Sequence, residues 1–184
     1  KSALISKTLP NSIVIIGSGA IGVEFASFYA DLGVKVTIVE LLENILPNED
    51  HEISDFVFKN FKSRGINIMT NAKLINVEST TNVKCKVNLN GKEIEVESEK
   101  MILAVGVNAN INNLGLEEFD IKVSQNVIET NEWMETSEKG IYAIGDLTKG
   151  PWLAHKASHE AIICIEKING LNPHPIVTDE IPGC

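Results

Sequence analysis

The stretch IIGSGAIGVE, Ile15 to Glu24, decides how the rest of the chain is interpreted. Gly17, Gly19 and Gly22 form the pattern G-x-G-x-x-G between an apolar run and a segment with helical periodicity. In a dinucleotide-binding loop the first glycine permits a tight turn, the second lets a pyrophosphate approach the backbone, and the third lets the helix pack on the strand. The helix N-terminus then offers free N–H groups to the phosphates. The pattern alone does not separate a flavin from a nicotinamide dinucleotide, and a structural glycine turn would also satisfy it.

The segments around this loop alternate between strand and helix. Three apolar, β-branched runs predict buried strands: SIVIIG (12–17), VKVTIVE (34–40) and INIMT (66–70). Two segments with a repeat close to 3.6 residues predict helices: AIGVEFASFYADLG (20–33) and DHEISDFVFKNFKSRG (50–65), each ending in glycine. The apolar residues expected to share a helix face are Ile21, Phe25, Phe28 and Leu32 on the first helix, and Ile53, Phe56, Val57 and Phe61 on the second.

The order strand, helix, strand, helix, strand over residues 12–70 indicates the mononucleotide-binding half of a doubly wound sheet. Three short strand-like segments follow, AKLINVES, VKCKVNLN and KEIEVES, with the hairpin signal Asn90–Gly91 between the last two. They predict an antiparallel meander in place of the next helix. KMILAVG then predicts another buried strand that ends at Gly106. The expected fold is α/β, a Rossmann-like parallel sheet with a β-meander insertion, followed by a partial second domain.

Two acidic residues bear on the choice of dinucleotide. Glu40 ends the second strand, where a carboxylate accepts hydrogen bonds from the hydroxyls of an adenine ribose and repels a 2′-phosphate. Glu40 therefore favours NAD over NADP. Glu24 lies in the first helical turn; it either complements the helix dipole or faces the nicotinamide end of the ligand.

A second motif lies near the C-terminus. Short strands and turns are expected before an apolar strand IYAI (141–144), which runs into Gly145–Asp146. A helix is expected from Trp152 to about Ile168, ending near Gly170. Asp146 at a strand end can bind polyol hydroxyls, and the following helix N-terminus suits the electron-rich pyrimidine edge of a flavin. An ordinary strand–turn–helix with a capping aspartate remains the alternative.

Composition excludes several kinds of partner and site. The chain has 184 residues, a formal net charge of −9 and 43% hydrophobic residues, so we expect a proper core and no nucleic-acid partner. No apolar run is long enough for a membrane span. Cys85, Cys164 and Cys184 have neither redox nor metal spacing, the four histidines are not grouped for metal binding, and Cys164 is expected to be a buried small hydrophobe. The absence of an initial Met and the proline-rich final loop lead us to expect a fragment of a longer protein.

Five segments together carry a family resemblance: GSGAIGVEF, VTIVE, NLGLE, GIYAIGD and WLAHKASHEAIICIE. In this order they resemble the dihydrolipoamide dehydrogenases, flavoproteins of the pyridine nucleotide–disulfide oxidoreductase group. The resemblance covers nearly the whole chain. It implies an enzyme that oxidises protein-bound dihydrolipoamide and passes electrons through an enzyme disulfide and FAD to NAD. It also implies lipoyl domains of 2-oxo acid dehydrogenase complexes as partners, a homodimeric parent, and a bacterial cytoplasm or a mitochondrial matrix as the compartment.

The resemblance also implies roles for individual residues. The NAD pyrophosphate would lie on the loop formed by Gly17, Ser18, Gly19, Ala20, Ile21, Gly22, Val23 and Glu24, with Glu24 toward the nicotinamide. Glu40 would hold the adenosine ribose, Leu74 would line the adenine pocket, and Gly106 would let NAD pass close to a strand end. The FAD ribityl chain would bind Asp146, and the flavin ring would meet Trp152, Leu153, Ala154 and His155, largely through backbone.

Some parts of the family pattern differ or lie elsewhere. The residues GVNA (106–109) stand where Gly-Arg-x-Pro is common, and Ala161 stands where the helix often has glycine. The redox-active CxxxxC and the FAD glycine loop would precede this region, and the His–Glu acid–base pair would follow it. We therefore expect no catalytic residue here and no dehydrogenase activity from the 184 residues alone.

The expected organisation has four parts: a linker at 1–10, an NAD-binding domain at 11–112, a returning FAD-domain segment at 113–170 and a linker into a dimer-interface domain at 171–184. Two other functions remain open. One is a different NAD-linked disulfide reductase or transhydrogenase. The other is a non-catalytic NAD-binding module that senses redox state.

Overall fold

The computed structural model describes residues 3–183. The chain divides into two compact units, the first ending at Val107 and the second beginning at Asn108. The assignment of these parts to NAD and FAD domains remains a prediction.

The first unit is built on a parallel sheet whose strands, in spatial order, are Asn67–Met69, Lys35–Val39, Ser12–Ile16 and Lys100–Leu103. Its elements through the third strand are β1 (Ser12–Ile16), α1 (Ala20–Asp31), β2 (Lys35–Val39), α2 (His51–Ser63) and β3 (Asn67–Met69). The predicted alternation of strand and helix is therefore confirmed. Asp50 caps α2, since its carboxylate accepts the N–H of Glu52 at 2.8 Å.

The meander follows as an antiparallel sheet of β4 (Ala72–Ser79), β5 (Val83–Leu89) and β6 (Lys92–Ser98). Asn90 and Gly91 both have positive φ, as the tight turn between β5 and β6 requires. The chain then returns through β7 (Lys100–Leu103), which pairs with β1. The prediction that this strand reaches Gly106 was wrong. β1 ends at Ile16, the partner of Leu103, and the Ala104 N–H makes one last bond to the Ile16 carbonyl at 2.8 Å before the paired residues end.

The two faces of the parallel sheet are covered differently. Ile13 and Ile15 of β1 face the cluster that includes α1 and α2, whereas Val14 and Ile16 face the meander. This alternation follows from the two-residue period of a strand. It explains why β1 reads as a continuous apolar run, because both of its faces are buried.

The predicted apolar face of α1 was wrong. Ile21, Phe28 and Leu32 are 46%, 49% and 48% exposed, and Phe25 is half-buried. The buried residues of α1 are instead Gly22, Val23, Ala26 and Tyr29. Gly22 and Ala26 on this neighbouring stripe let the helix approach the sheet closely, while Tyr29 is buried nearer the end of the helix.

The predicted face of α2 is correct only in part. Phe61 is buried and Val57 is half-buried, whereas Ile53 and Phe56 are exposed. Apolar spacing locates a helix but does not fix which of two neighbouring stripes faces the core.

The second unit has little regular structure before its helix. Its elements are a 3-10 helix (Leu116–Glu118), β8 (Val123–Ser124), β9 (Val127–Ile128), a 3-10 helix (Gly145–Leu147), α3 (Ala154–Ile168) and a 3-10 helix (Thr178–Glu180). The predicted strand IYAI was wrong: its residue Tyr142 makes only an isolated bridge with Glu135. The helix starts at Ala154 and not at Trp152, because Leu153 has an extended backbone.

Two cysteines are buried among apolar side chains. Cys85 packs between β5 and the parallel sheet, and Cys164 packs with Met134 and Ile163 in the second unit. Cys164 is therefore buried as predicted, and burial raises the pKa of both thiols. Cys184 lies outside the described residues.

We expect these two thiols to react slowly in the folded chain. A raised pKa keeps each thiol protonated at neutral pH, and only the thiolate attacks alkylating reagents. Iodoacetamide at neutral pH should modify Cys85 and Cys164 at least about tenfold more slowly in buffer than in denaturant. Peptide mapping by mass spectrometry resolves each site. Equal rates in the two conditions would contradict the buried positions.

Two further properties concern the described residues as a set. None of their helices has the length and apolar character that a membrane crossing requires. Over residues 3–183, no three His, Cys, Asp or Glu side chains are grouped closely enough to hold a metal ion.

Candidate functional site

A cleft of about 750 Å³ lies in the first unit at the carboxyl ends of the parallel strands. This is the edge at which doubly wound sheets bind their ligands. Eight of the predicted residues line it: Gly17, Ser18, Gly19, Ala20, Ile21, Glu40, Leu74 and Gly106. The sequence therefore identified residues from four separate segments that the fold brings together.

The three motif glycines occupy different surroundings. Gly17 has a φ of +93°, and a Cβ there would collide with the carbonyl oxygen of Ala104. A Cβ on Gly22 would collide with the carbonyl oxygen of Gly17. By contrast, a Cβ on Gly19 would meet none of the described atoms within 4 Å. Gly17 and Gly22 thus shape the loop itself, whereas Gly19 keeps the space above the loop open.

Glu40 is held in place by donors from two segments. Its Oε2 accepts the backbone N–H of Ser18 at 2.8 Å and the Ser18 hydroxyl at 2.6 Å. Its Oε1 accepts the backbone N–H of Leu42 at 2.8 Å. A carboxylate offers about four acceptor positions, so these bonds leave capacity for about one further donor, on Oε1.

The backbone around Glu40 is fixed as well. The Glu40 N–H donates to the carbonyl oxygen of Met69, and the Glu40 carbonyl accepts the N–H of Ala72, both at 2.8 Å. Glu40 is 6% exposed and still lines the cleft. An acceptor with fixed position and little contact with bulk water is suited to recognise a ligand hydroxyl.

The cleft also contains residues that sequence reasoning missed. Lys73 lines it beside Leu74, and the loop after β2 contributes Leu42, Pro47 and Asn48. Among the described lining residues, Lys73 carries the one positive charge. Its place in the cleft could have been predicted from its position in the chain. Lys73 follows β3, whose carboxyl end meets those of β1 and β2 at the same edge of the sheet.

Three of the residues predicted to bind NAD do not line the cleft. Gly22 and Val23 are buried on the face of α1 that packs toward the sheet. Glu24 is exposed on α1 but lies beyond the first turn of that helix, which contains no acidic residue, so its predicted first-turn position was wrong. Because Glu24 does not line the cleft, no contact supports its predicted role toward the nicotinamide.

In the second unit, the Gly145–Asp146 turn is tied to α3 by a buried ion pair. The Lys156 Nζ lies 2.9 Å from a Glu160 carboxylate oxygen, and their side chains are 3% and 6% exposed. Lys156 also donates to the Gly145 carbonyl at 3.2 Å and to the Thr148 hydroxyl at 3.1 Å. The other Glu160 oxygen accepts the Gly145 N–H at 2.6 Å. Asp146 is exposed at the tip of the turn that these bonds hold.

Of the four residues expected to meet a flavin ring, Trp152 and Leu153 precede α3, and Ala154 and His155 begin it. No described side chain caps its first turn, so that turn keeps N–H groups available. The Trp152 indole donates to the carbonyl oxygen of Thr148 at 3.1 Å, and a ring nitrogen of His155 lies 3.0 Å from the carbonyl oxygen of Pro182. Leu153 is half-buried and Ala154 is exposed.

Comparison with known proteins decides the family. The model of the pyridine nucleotide-disulphide oxidoreductases matches residues 1–161. The chain belongs to this family. Two relatives named dihydrolipoyl dehydrogenase are 45% identical (Rhizobium etli) and 42% identical (Bacillus subtilis), each over 99% of the chain. The solved structure of the HOCl-induced flavoprotein disulfide reductase RclA from Escherichia coli is 27% identical over 96% of the chain, with a TM-score of 0.87.

The chain spans about two-fifths of these family members' length: 38% and 39% of the two relatives and 40% of RclA. The matches confirm the resemblance to dihydrolipoamide dehydrogenases and the α/β fold class. They concern family membership and do not assign the individual residues of the cleft.

Proposed function

We propose that the chain provides the NAD site, and part of the FAD site, of an enzyme that oxidises protein-bound dihydrolipoamide. Electrons would pass from the substrate dithiol to an enzyme disulfide, then to FAD, and finally as a hydride to NAD. The names of the relatives support this reaction, and the cleft around Glu40 supports NAD as the acceptor. The fixed carboxylate of Glu40 is the single observation on which the choice of NAD rests.

The residues of the cleft fit NAD in three ways. The space above Gly19 admits a pyrophosphate close to the backbone, and the N-terminus of α1 offers it N–H donors. The remaining acceptor capacity of Glu40 suits a ribose hydroxyl, and its charge opposes a 2′-phosphate. Leu74 would then contact the adenine, and Gly106 would let the ligand pass the end of β7.

The second unit would serve the flavin. Asp146 would bind the ribityl hydroxyls, and the backbone from Trp152 to His155 would face the ring. The Lys156–Glu160 pair supports this role, because it fixes the turn that presents Asp146. A homodimeric parent and lipoyl domains as protein partners belong to the same proposal, as does the absence of dehydrogenase activity in the 184 residues alone.

A titration of the chain with NADH and NADPH tests the role of Glu40. We expect NADH to bind at least about tenfold more tightly, since an unpaired or repelled buried charge costs more than 1.4 kcal/mol. Glu40→Gln should lower the affinity for NADH and raise that for NADPH. Glu43→Gln is the matched control, because it removes the same charge from an exposed position in the same loop. Equal affinity of the unaltered chain for both nucleotides would contradict the assignment.

A second candidate is another NAD-linked disulfide reductase of the same family. It is favoured by the structural likeness to RclA, which is described as a flavoprotein disulfide reductase. The two candidates share the NAD site and differ in the dithiol substrate. Activity of the full-length protein with dihydrolipoamide as the reductant distinguishes them.

A further inference from the structure

We propose that Ser18 determines nucleotide specificity by acting through Glu40. Its hydroxyl would hold the Glu40 carboxylate in the orientation that accepts an unphosphorylated ribose. The inference rests on the proposed NAD site, since it concerns the same cleft. Ser18 would thus be a positioning residue, whereas the general loop pattern assigns its position no side-chain role.

Ser18 lines the cleft, and its buried hydroxyl is directed at Glu40. Ser18 is 0% exposed, and its hydroxyl lies 2.6 Å from Glu40 Oε2. The hydroxyl therefore faces the carboxylate. Glu40 is therefore the group through which this hydroxyl would act on a bound nucleotide.

The division of donors between the two carboxylate oxygens is uneven. Two donors from Ser18 converge on Oε2, whereas a single described donor, the Leu42 N–H, reaches Oε1. Hydrogen bonds to an ionised acceptor are about twice as strong as neutral ones. Ser18 thereby fixes Oε2 toward the loop and leaves Oε1 as the oxygen with capacity for a ribose hydroxyl.

The position of the loop does not depend on this hydroxyl. The Ser18 carbonyl accepts the N–H of Leu46 at 2.9 Å, and Gly17 donates its N–H to the carbonyl of Val39 at 2.9 Å. These backbone bonds, and the Ser18 N–H bond to Glu40, remain when the hydroxyl is removed. Ser18→Ala therefore isolates the contribution of one hydrogen bond.

The test is a double-mutant cycle of Ser18→Ala and Glu40→Gln, with the dissociation constants of NADH and NADPH measured by calorimetry on the whole chain. Ser18→Ala should weaken NADH binding about tenfold, as expected for a charge-assisted hydrogen bond, and leave NADPH binding within about twofold. In the Glu40→Gln background the same change should alter NADH binding by less than about twofold. Ser158→Ala is the matched control, since this hydroxyl donates to a helix carbonyl in the second unit.

The possible results lead to separate conclusions. An equal loss of NADH and NADPH affinity, or additivity in the cycle, would show that Ser18 only supports the loop, and it would overturn the inference. Normal NADH preference in Ser18→Ala would also overturn it, while leaving the proposed NAD site intact. No NADH preference in the unaltered chain would overturn both. Ser18→Gly removes the same hydroxyl and replaces the alanine variant if circular dichroism shows that the latter does not fold.

Discussion

Replacement of Lys156 by alanine is expected to destabilise the second unit by about 3–5 kcal/mol, the usual cost of breaking a buried ion pair. The substitution leaves the Glu160 carboxylate in a site where its side chain is 6% exposed. It also removes the donor to the Gly145 carbonyl and to the Thr148 hydroxyl. Because the free energy of unfolding of small domains is only about 5–15 kcal/mol, this loss would be a large fraction of it.

The chain offers a convenient signal for this measurement. Both of its tryptophans, Trp133 and Trp152, lie in the second unit, so tryptophan fluorescence reports the unfolding of that unit. The midpoint of urea unfolding should fall in Lys156→Ala without a change in the slope.

Two controls separate burial from charge. Lys84 and Glu95 form an exposed pair at 3.4 Å, and Lys84→Ala should cost less than about 1 kcal/mol. The double variant Lys156→Met/Glu160→Gln removes both charges but keeps an acceptor for the buried Gly145 N–H, and it should recover part of the lost stability. A Lys156→Ala midpoint that matches the unaltered chain would contradict the buried pair.

The sequence predicted the first unit well because its signals are local and mutually consistent. The apolar runs of β1, β2 and β3, the glycine loop and the Asn90–Gly91 turn each specify their own backbone, and the fold combines them as expected. The position of Glu40 beside the glycine loop could be predicted for the same reason, because the end of the second strand always lies next to that loop in this fold.

Other features depend on contacts that the sequence does not display. The buried stripe of α1 includes the small residues Gly22 and Ala26, which fit against the sheet, and Phe28 is left exposed although its spacing suits a core face. Lys73 lines the cleft because of the order of the strands in the sheet, and the Ser18–Glu40 hydrogen bond joins residues 22 positions apart. IYAI has strand composition but finds only a single bridge, because a strand needs a partner of matching length.

Gly19→Ala and Gly22→Ala should separate ligand binding from folding within a single loop. Gly19 has a negative φ that alanine can adopt, and its added methyl would meet none of the described protein atoms within 4 Å. We expect its unfolding free energy to change by less than about 1 kcal/mol, since reduced chain entropy offsets a poorer helix cap. NADH affinity should fall at least about tenfold, because the methyl occupies the space in which the pyrophosphate approaches.

Gly22→Ala should instead lose stability before any ligand is added. Its methyl would collide with the carbonyl oxygen of Gly17, which is backbone and cannot rotate away, so α1 must shift from β1. Overpacking of this kind costs about 1–3 kcal/mol or more. The loss should appear as faster hydrogen exchange in β1 and β2, measured by mass spectrometry without ligand.

Comparison of NADH affinity with amide exchange in the two variants separates an effect on the ligand from an effect on folding. If Gly19→Ala loses NADH affinity while its amide exchange stays unchanged, the cost belongs to the ligand and Gly19 borders the nucleotide directly. Unchanged NADH affinity in Gly19→Ala would place the pyrophosphate elsewhere and contradict the proposed orientation of the nucleotide in the cleft. Gly33→Ala is a useful reference for glycine replacement as such: Gly33 has a φ of +80° at the other end of α1, so its variant is strained without altering the cleft. Stability loss in Gly33→Ala with normal NADH affinity would therefore show that strain in α1 alone does not abolish binding.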